Sequence, residues 1–344
     1  MLNFLKKIKR TWFWIICIDY LIYPIYHFLW SFFINFQAKL LYFFWCFKKK
    51  DYFSLDNNDK LMVGTNDEFK IIASKILNET KNLEERSKNT ILSKEYSEKV
   101  KKTNLASGEL PYSINLYKKL SPSLKNEIVK FASSDKMITT ASKYMKIFPI
   151  LTRVQVSLNI PRENSQLRSA MLWHKDGFGF KNLDFFMSVT DLDENNGPFY
   201  CLEKKIKAGI FKSFDLSFTK KGERNKVPFE IFEKNFPNEK LTELKGSSGT
   251  GMFLDSFSTY HRGGYCSKKN RIMLRFCYQS HDAICDIFNS NEDFFLYDPS
   301  ITKKNTKNIF KNFLYFKKPP FFLKIFKNKI MKFYYFIEHR YMND

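Results

Sequence analysis

The chain of 344 residues is 44% hydrophobic and 18% aromatic, enough apolar material for one sizeable core with appendages, which excludes a disordered protein. Of its formal charge of +22, residues 1–50 carry +7 and residues 301–344 carry +9, leaving +6 for the 250 residues between them; a duplex-binding domain would hold its charge on the folded body instead. The six cysteines (Cys17, Cys46, Cys201, Cys266, Cys277, Cys285) form no C-x-x-C pair and no regular framework, so neither a zinc knuckle nor a disulfide scaffold is expected, and the thiols read as reduced in a cytosol-facing protein.

Residues 11–47 open with TWFWIICIDYLIYPIYHFLWSFF and close with LLYFFWCF, a stretch long enough to span a bilayer if helical. Asp19 and His27 interrupt it and Pro24 kinks any helix there. Lys6, Lys7, Lys9 and Arg10 on one flank and Lys48, Lys49 and Lys50 on the other favour both ends staying on the cytoplasmic side. The expectation for residues 1–50 is therefore an in-plane or re-entrant helical hairpin, giving peripheral or monotopic membrane association. A single-pass helix and an aromatic helical pair packed on the domain are the alternatives. No small-residue cleavage site follows the apolar run, so no removable signal peptide is expected.

Residues 51–118 read as a helical linker region, with Phe69, Ile72 and Leu77 at helical spacing between Asp67 and Lys88. Ser121-Pro122 supplies an N-cap followed by proline at the first helical position, predicting a helix through Leu124, Ile128 and Phe131. A second short helix is expected from Thr139 to Met145. The period then changes to two over 152–160, where Val154, Val156, Leu158 and Ile160 share a face. Further short β-rich runs follow at Leu183–Val189, Phe199–Leu202, Gly251–Leu254 and Ile272–Tyr278. Helices first and antiparallel strands afterwards predict an α+β protein with a barrel or double-sheet jelly-roll core over 119–300. Residues 204–245, charged and irregular with a short helix near Glu230, read as an insertion able to form a lid. Residues 301–344 form a basic aromatic tail.

The segment Met171-Leu172-Trp173-His174-Lys175-Asp176-Gly177 carries the chemistry. Side chains two apart on a strand project to the same side, so His174 and Asp176 aim an imidazole and a carboxylate at one point. His261, in Asp255-Ser256-Phe257-Ser258-Thr259-Tyr260-His261-Arg262-Gly263-Gly264, is the candidate third ligand. His27 lies in the apolar segment and His339 in the tail, which leaves His174, His261 and His281 in the body of the chain. Two histidines and one carboxylate on one side of a metal form a facial triad with open positions, as non-haem iron oxygenases require. Arg271, ten residues after His261, can reach the metal from a partner strand and grip the distal carboxylate of a bound oxoacid through its planar fork. Arg275, on the same strand face, is the reserve.

The order Trp173-His174-Lys175-Asp176, then Asp191-Leu192-Asp193-Glu194-Asn195-Asn196-Gly197-Pro198-Phe199, then Gly251-Met252-Phe253-Leu254 leading to His261 and Arg271 resembles the phytanoyl-CoA dioxygenase family. The resemblance covers about residues 120–280 and excludes both termini. It implies a double-stranded β-helix (jelly-roll, cupin-like) fold, Fe(II) at His174, Asp176 and His261, and 2-oxoglutarate salt-bridged by Arg271, with ascorbate as a reductant. Where many family members follow the N-G-P turn with P-G-S-H, this chain has Phe199-Tyr200-Cys201-Leu202-Glu203, so the family's substrate does not carry over. Asp176 is present where halogenating members lack the carboxylate, which favours hydroxylation. The Asn195-Asn196-Gly197-Pro198 stretch is expected to make a turn.

From Phe310 to Phe336 the tail alternates bulky aromatics with lysines, which suits rings at headgroup level with lysines on anionic lipid. The expectation is a membrane surface engaged by residues 11–47 and 305–340, no nucleic-acid partner, and hydroxylation of a lipid or lipid-linked metabolite with release of succinate and CO2. A catalytically inert membrane-associated scaffold that keeps the fold is the alternative.

Overall fold

The computed structural model describes residues 36, 38–47, 49, 51–55, 60–92, 113–161, 169–176, 181–203 and 226–280. Most of the apolar N-terminal segment, residues 204–225 of the expected lid, and the basic C-terminal tail lie outside them. Among the described residues no helix is long and apolar enough to cross a membrane.

Helices come first. A helix over 38–47 (α1) is followed by Asp67–Leu92 (α2), Pro122–Ala132 (α3) and Asp135–Met145 (α4). The Ser121 hydroxyl accepts from the Leu124 N–H at 3.2 Å with Pro122 at the first turn, as its sequence predicts. The next helix begins four residues before the expected Thr139 and ends where Lys146 takes a left-handed conformation (φ 58°).

The strands are Lys60–Gly64 (β1), Ser113–Asn115 (β2), Ile150–Asn159 (β3), Trp173–His174 (β4), Asn182–Ser188 (β5), Phe199–Leu202 (β6), Lys226–Val227 (β7), Leu241–Leu244 (β8), Gly251–Leu254 (β9), His261–Gly263 (β10) and Arg271–Gln279 (β11), with a short helix Phe229–Asn235 (α5) between β7 and β8. They form two antiparallel sheets, ordered β1-β9-β5-β11-β3-β2 and β7-β4-β10-β6-β8. From β3 to β6 and again from β8 to β11, successive strands alternate between the sheets, with β6, β7 and β8 all in the second, and this alternation is the winding of a double-sheet jelly roll.

The first sheet is buried on both faces. Along β11, Ile272, Leu274, Phe276 and Tyr278 join the core shared with the helices, while Met273 belongs to the cluster with Phe199, Cys201 and Leu244 of the second sheet. By the two-residue period, Arg271, Arg275 and Cys277 share Met273's inward face. The helix-side core centres on Phe185, whose ring lies 4.8 Å from Phe253 and 5.2 Å from Phe69, in the offset and edge-on arrangements aromatic quadrupoles favour. On the outer face of the second sheet, Trp173, Leu202, Val227, Phe232 and Tyr260 bury the short α5, with Trp173 stacked on Phe232 at 4.5 Å.

Two segments differ from their sequence reading. Residues 226–245, placed in an irregular insertion, have the expected short helix near Glu230 (α5) but also supply the strands β7 and β8, and β8 pairs with β6. Only Leu244 of β8 is buried, so no apolar alternation advertises the strand. Lys60–Gly64, within the region read as a helical linker, pairs with β9 along the sheet edge; five residues are too few for a period to show.

Candidate metal centre

His174 and His261 are directly opposed across the β4–β10 pair, with ring centroids 4.3 Å apart. Each imidazole is oriented by its own strand. Nδ1 of His174 lies 2.8 Å from the Leu172 carbonyl and Nδ1 of His261 lies 3.0 Å from the Thr259 carbonyl. A carbonyl oxygen only accepts, so Nδ1 carries the proton in both rings and Nε2 presents a lone pair. The approach to β10 is set by Asp255, whose carboxylate accepts from the Phe257 and Ser258 amides and from the Tyr144 hydroxyl, while its carbonyl accepts from the Thr259 amide.

Asp176 lies two residues past His174, beyond the end of β4, and its amide donates to the Ser256 carbonyl at 2.9 Å. Its Oδ1 is 3.8 Å from His174 Nε2 and its Oδ2 is 3.7 Å from His261 Nε2. All three ligand atoms lie within 4.8 Å of one another, and this is the group among the described residues that can hold a metal ion. Two buried neutral nitrogens and one carboxylate on a single side suit a divalent transition metal with coordination positions to spare.

The electrostatics support that arrangement. Burial alone would raise the Asp176 carboxyl, but the Arg275 guanidinium, through its charge and its hydrogen bond, over-compensates and holds it below the usual carboxylate range. Burial depresses the His261 imidazole against the opposing pull of Asp176, so the ring stays neutral and available as a ligand.

The two candidate arginines have different surroundings. Arg271 is buried, with Nε donating to Asn159 Oδ1 at 3.3 Å and Nη1 donating to the Gly197 carbonyl. Its Nη2 passes beneath Gly263, where an added Cβ would sit 3.3 Å away. Gly263 is two residues from His261 on β10, so the guanidinium lies one same-face step along the strand from a metal ligand. Arg275 instead contacts the carboxylates of both Asp176 and Asp184 through Nη2, and these opposed charges hold it protonated against the cost of burial.

Asp184, Ser256 and Asn182 were not singled out by sequence reasoning. The Ser256 hydroxyl donates to Asp184 Oδ2 at 2.6 Å and accepts from Asn182 Nδ2 at 2.5 Å. The signal was present in Asn182-Leu183-Asp184-Phe185-Phe186-Met187-Ser188, where one carboxylate stands in a fully buried strand. Buried carboxylates are kept only with partners.

No protein-family model matches the chain, and no curated protein matches it. Among solved structures, the chain is similar to the non-heme α-ketoglutarate-dependent epimerase SnoN from nogalamycin biosynthesis, at 15% identity over 55% of this chain and 76% of that one, with a TM-score of 0.35. It is also similar to AviO1 from Streptomyces viridochromogenes Tue57 (11% identity, 65% and 90% covered, TM-score 0.36) and to EctD from S. alaskensis with bound Fe (13% identity, 65% and 74% covered, TM-score 0.38).

Proposed function

We propose that this protein is an Fe(II)- and 2-oxoglutarate-dependent oxygenase of the phytanoyl-CoA dioxygenase-like kind, hydroxylating a lipid or lipid-linked metabolite at a membrane surface. The observation that carries the reading is the convergence of His174 Nε2, His261 Nε2 and the Asp176 carboxylate inside a jelly roll, with the buried Arg271 fork one strand step away. His174, Asp176 and His261 hold the metal. Arg271 pairs with the distal carboxylate of 2-oxoglutarate, and Gly263 leaves the room its guanidinium occupies. Bound iron and 2-oxoglutarate supply the activation of dioxygen, with the oxoacid decarboxylated to succinate and CO2. The protein's part is positional. Leu172 and Thr259 fix the imidazoles, Ser256 fixes the Asp176 backbone, and the two sheets exclude bulk water from the histidines, whose side chains are 5% and 3% exposed.

The membrane part of the reading is supported by α1. Ala38 and Trp45 are buried against the domain, and Trp45 Nε1 donates to Thr139 Oγ1 at 2.9 Å. Phe36, Leu40, Phe43, Phe44 and Phe47 are exposed along the other side. A helix apolar on both sides has one face that water does not suit.

The deciding experiment is iron-dependent formation of succinate from 2-oxoglutarate, with ascorbate present, compared between the native protein and His174→Ala. Turnover in the native protein and none in the variant is the expected result. A folded native protein that forms no succinate with iron would leave the scaffold reading in its place.

A further inference from the structure

The metal ligand Asp176 is one of two carboxylates that share a single guanidinium. Arg275, on the inward face of β11, contacts Asp176 Oδ2 and Asp184 Oδ2 through the same nitrogen, and its guanidinium lies 5.0 Å over the Phe186 ring. Asp184 is fully buried. Ser256 joins the two acids, because its carbonyl accepts from the Asp176 amide and its hydroxyl donates to the Asp184 carboxylate.

The charges in this cluster have a consequence for any cation that enters. With neutral imidazoles, two carboxylates against one guanidinium leave one net negative charge. Were Asp184 absent, Arg275 would neutralise Asp176 outright, and a dication would have to enter a neutral, poorly solvated site whose one carboxylate is already paired with a guanidinium. In a low-dielectric interior that difference is large. With Asp184 present, a dication, a dianionic oxoacid and the Arg271 guanidinium bring the assembly to neutrality. The pair also restrains Asp176 geometrically, since Arg275 holds one of its oxygens and the contact to Asp184 fixes Arg275.

We infer that Asp184 is a charge-balancing and positioning residue for the metal centre, binding Arg275 so that this arginine orients Asp176 without cancelling the charge the cation needs. The inference rests on the metal-centre reading, and its test separates the two. Co(II) is titrated into the metal-free full-length protein, with affinity and the ligand-field absorption spectrum as readouts. The native protein is expected to bind; if it binds no divalent metal, the metal-centre reading itself fails. Asp184→Asn, nearly isosteric, is expected to weaken Co(II) binding by about tenfold or more, in the range seen when groups supporting a metal ligand are removed. Asp184→Asn/Arg275→Gln removes both members of the pair and restores the net charge, so it is expected to return affinity to within about threefold of native while the absorption bands shift, because Asp176 is no longer steered.

Native-like binding in Asp184→Asn would overturn the inference. So would a double variant binding as weakly as the single one, the result expected if Asp184 only supported the fold. Should Asp184→Asn not fold, the double variant, which removes the fully buried Asp184 charge together with its Arg275 partner, decides alone: affinity within about threefold of native supports the inference, and a loss of tenfold or more overturns it.

Discussion

The carbonyl oxygen of Gly197 accepts a hydrogen bond from the Arg271 guanidinium, so the Asn-Asn-Gly-Pro turn is part of the candidate site as well as a chain reversal. Gly197 has a positive φ of 71°, and a Cβ there would lie 2.5 Å from the Tyr265 carbonyl oxygen. Gly264 packs against it from the other side, where an added Cβ would lie 2.3 Å from the Pro198 carbonyl. Backbone meets backbone, and neither side can yield as a flexible side chain would.

Gly197→Ala therefore combines left-handed strain with a backbone clash, and an expected cost of about 2 kcal/mol or more follows. In a domain of this size that lowers the melting temperature by about 4–8 °C. Thermal unfolding of the variant checks it. A midpoint within about 1 °C of native would show that the turn relaxes freely and that its carbonyl does not hold Arg271 in place.

Arg271→Ala is expected to reduce 2-oxoglutarate affinity by at least about tenfold, the loss of one charge-assisted contact, with metal affinity retained. Arg271→Lys is not expected to rescue it, because a point charge on a flexible stem lacks the fork that meets a carboxylate on two nitrogens. Equilibrium binding of 2-oxoglutarate to the metal-loaded variants measures both. Unchanged affinity in Arg271→Ala would remove this residue from the oxoacid site and return the role to Arg275, despite the two carboxylates that occupy it.

The parts of this structure legible in the sequence are those with a local cause. The Ser121-Pro122 cap, the Val154-Val156-Leu158 face of β3 and the His-x-Asp spacing each act over a few residues, and the structure has a helix, a strand and a His-Asp-His group able to hold a metal there. The choice between Arg271 and Arg275 was not legible, because both share one face of β11 and their surroundings come from β4, β5 and the turn at Gly197. Asp184 was hidden for the same reason. Its partner Arg275 lies 91 residues away, and only the winding of the two sheets brings them together. β8 escaped because three of its four residues are not buried.

The exposed side of α1 gives a separate prediction. Hydroxyl-radical footprinting of the full-length protein is expected to modify Phe43, Phe44 and Phe47 in vesicle-free buffer and to spare them when phosphatidylglycerol-containing vesicles are added, as apolar side chains enter the interface. Lys39 is exposed on the same helix, so protection should weaken at high salt or with purely zwitterionic vesicles. Modification that is equal with and without vesicles would sink the assignment of this face to a lipid surface. Rings already protected in buffer would sink it too, by showing that protein covers them.

The last prediction concerns His261 as a ligand. Removing it by His261→Ala leaves two donors, and Co(II) affinity is expected to fall by on the order of 100-fold or more, beyond the loss from removing a group that only supports a ligand. The imidazole is depressed by burial from the ordinary value of 6.5, and a lowered value means that protons compete less with the metal. At pH 6.5 such a ring is more than half neutral, so proton competition at His261 costs less than about twofold in affinity there and grows only at lower pH. Histidine-selective NMR of the metal-free protein reads this directly. A His261 midpoint below 6.5 is the expected result, and a midpoint above it would mean that the Asp176 charge, not burial, governs the ring, and that the metal must displace a proton to bind.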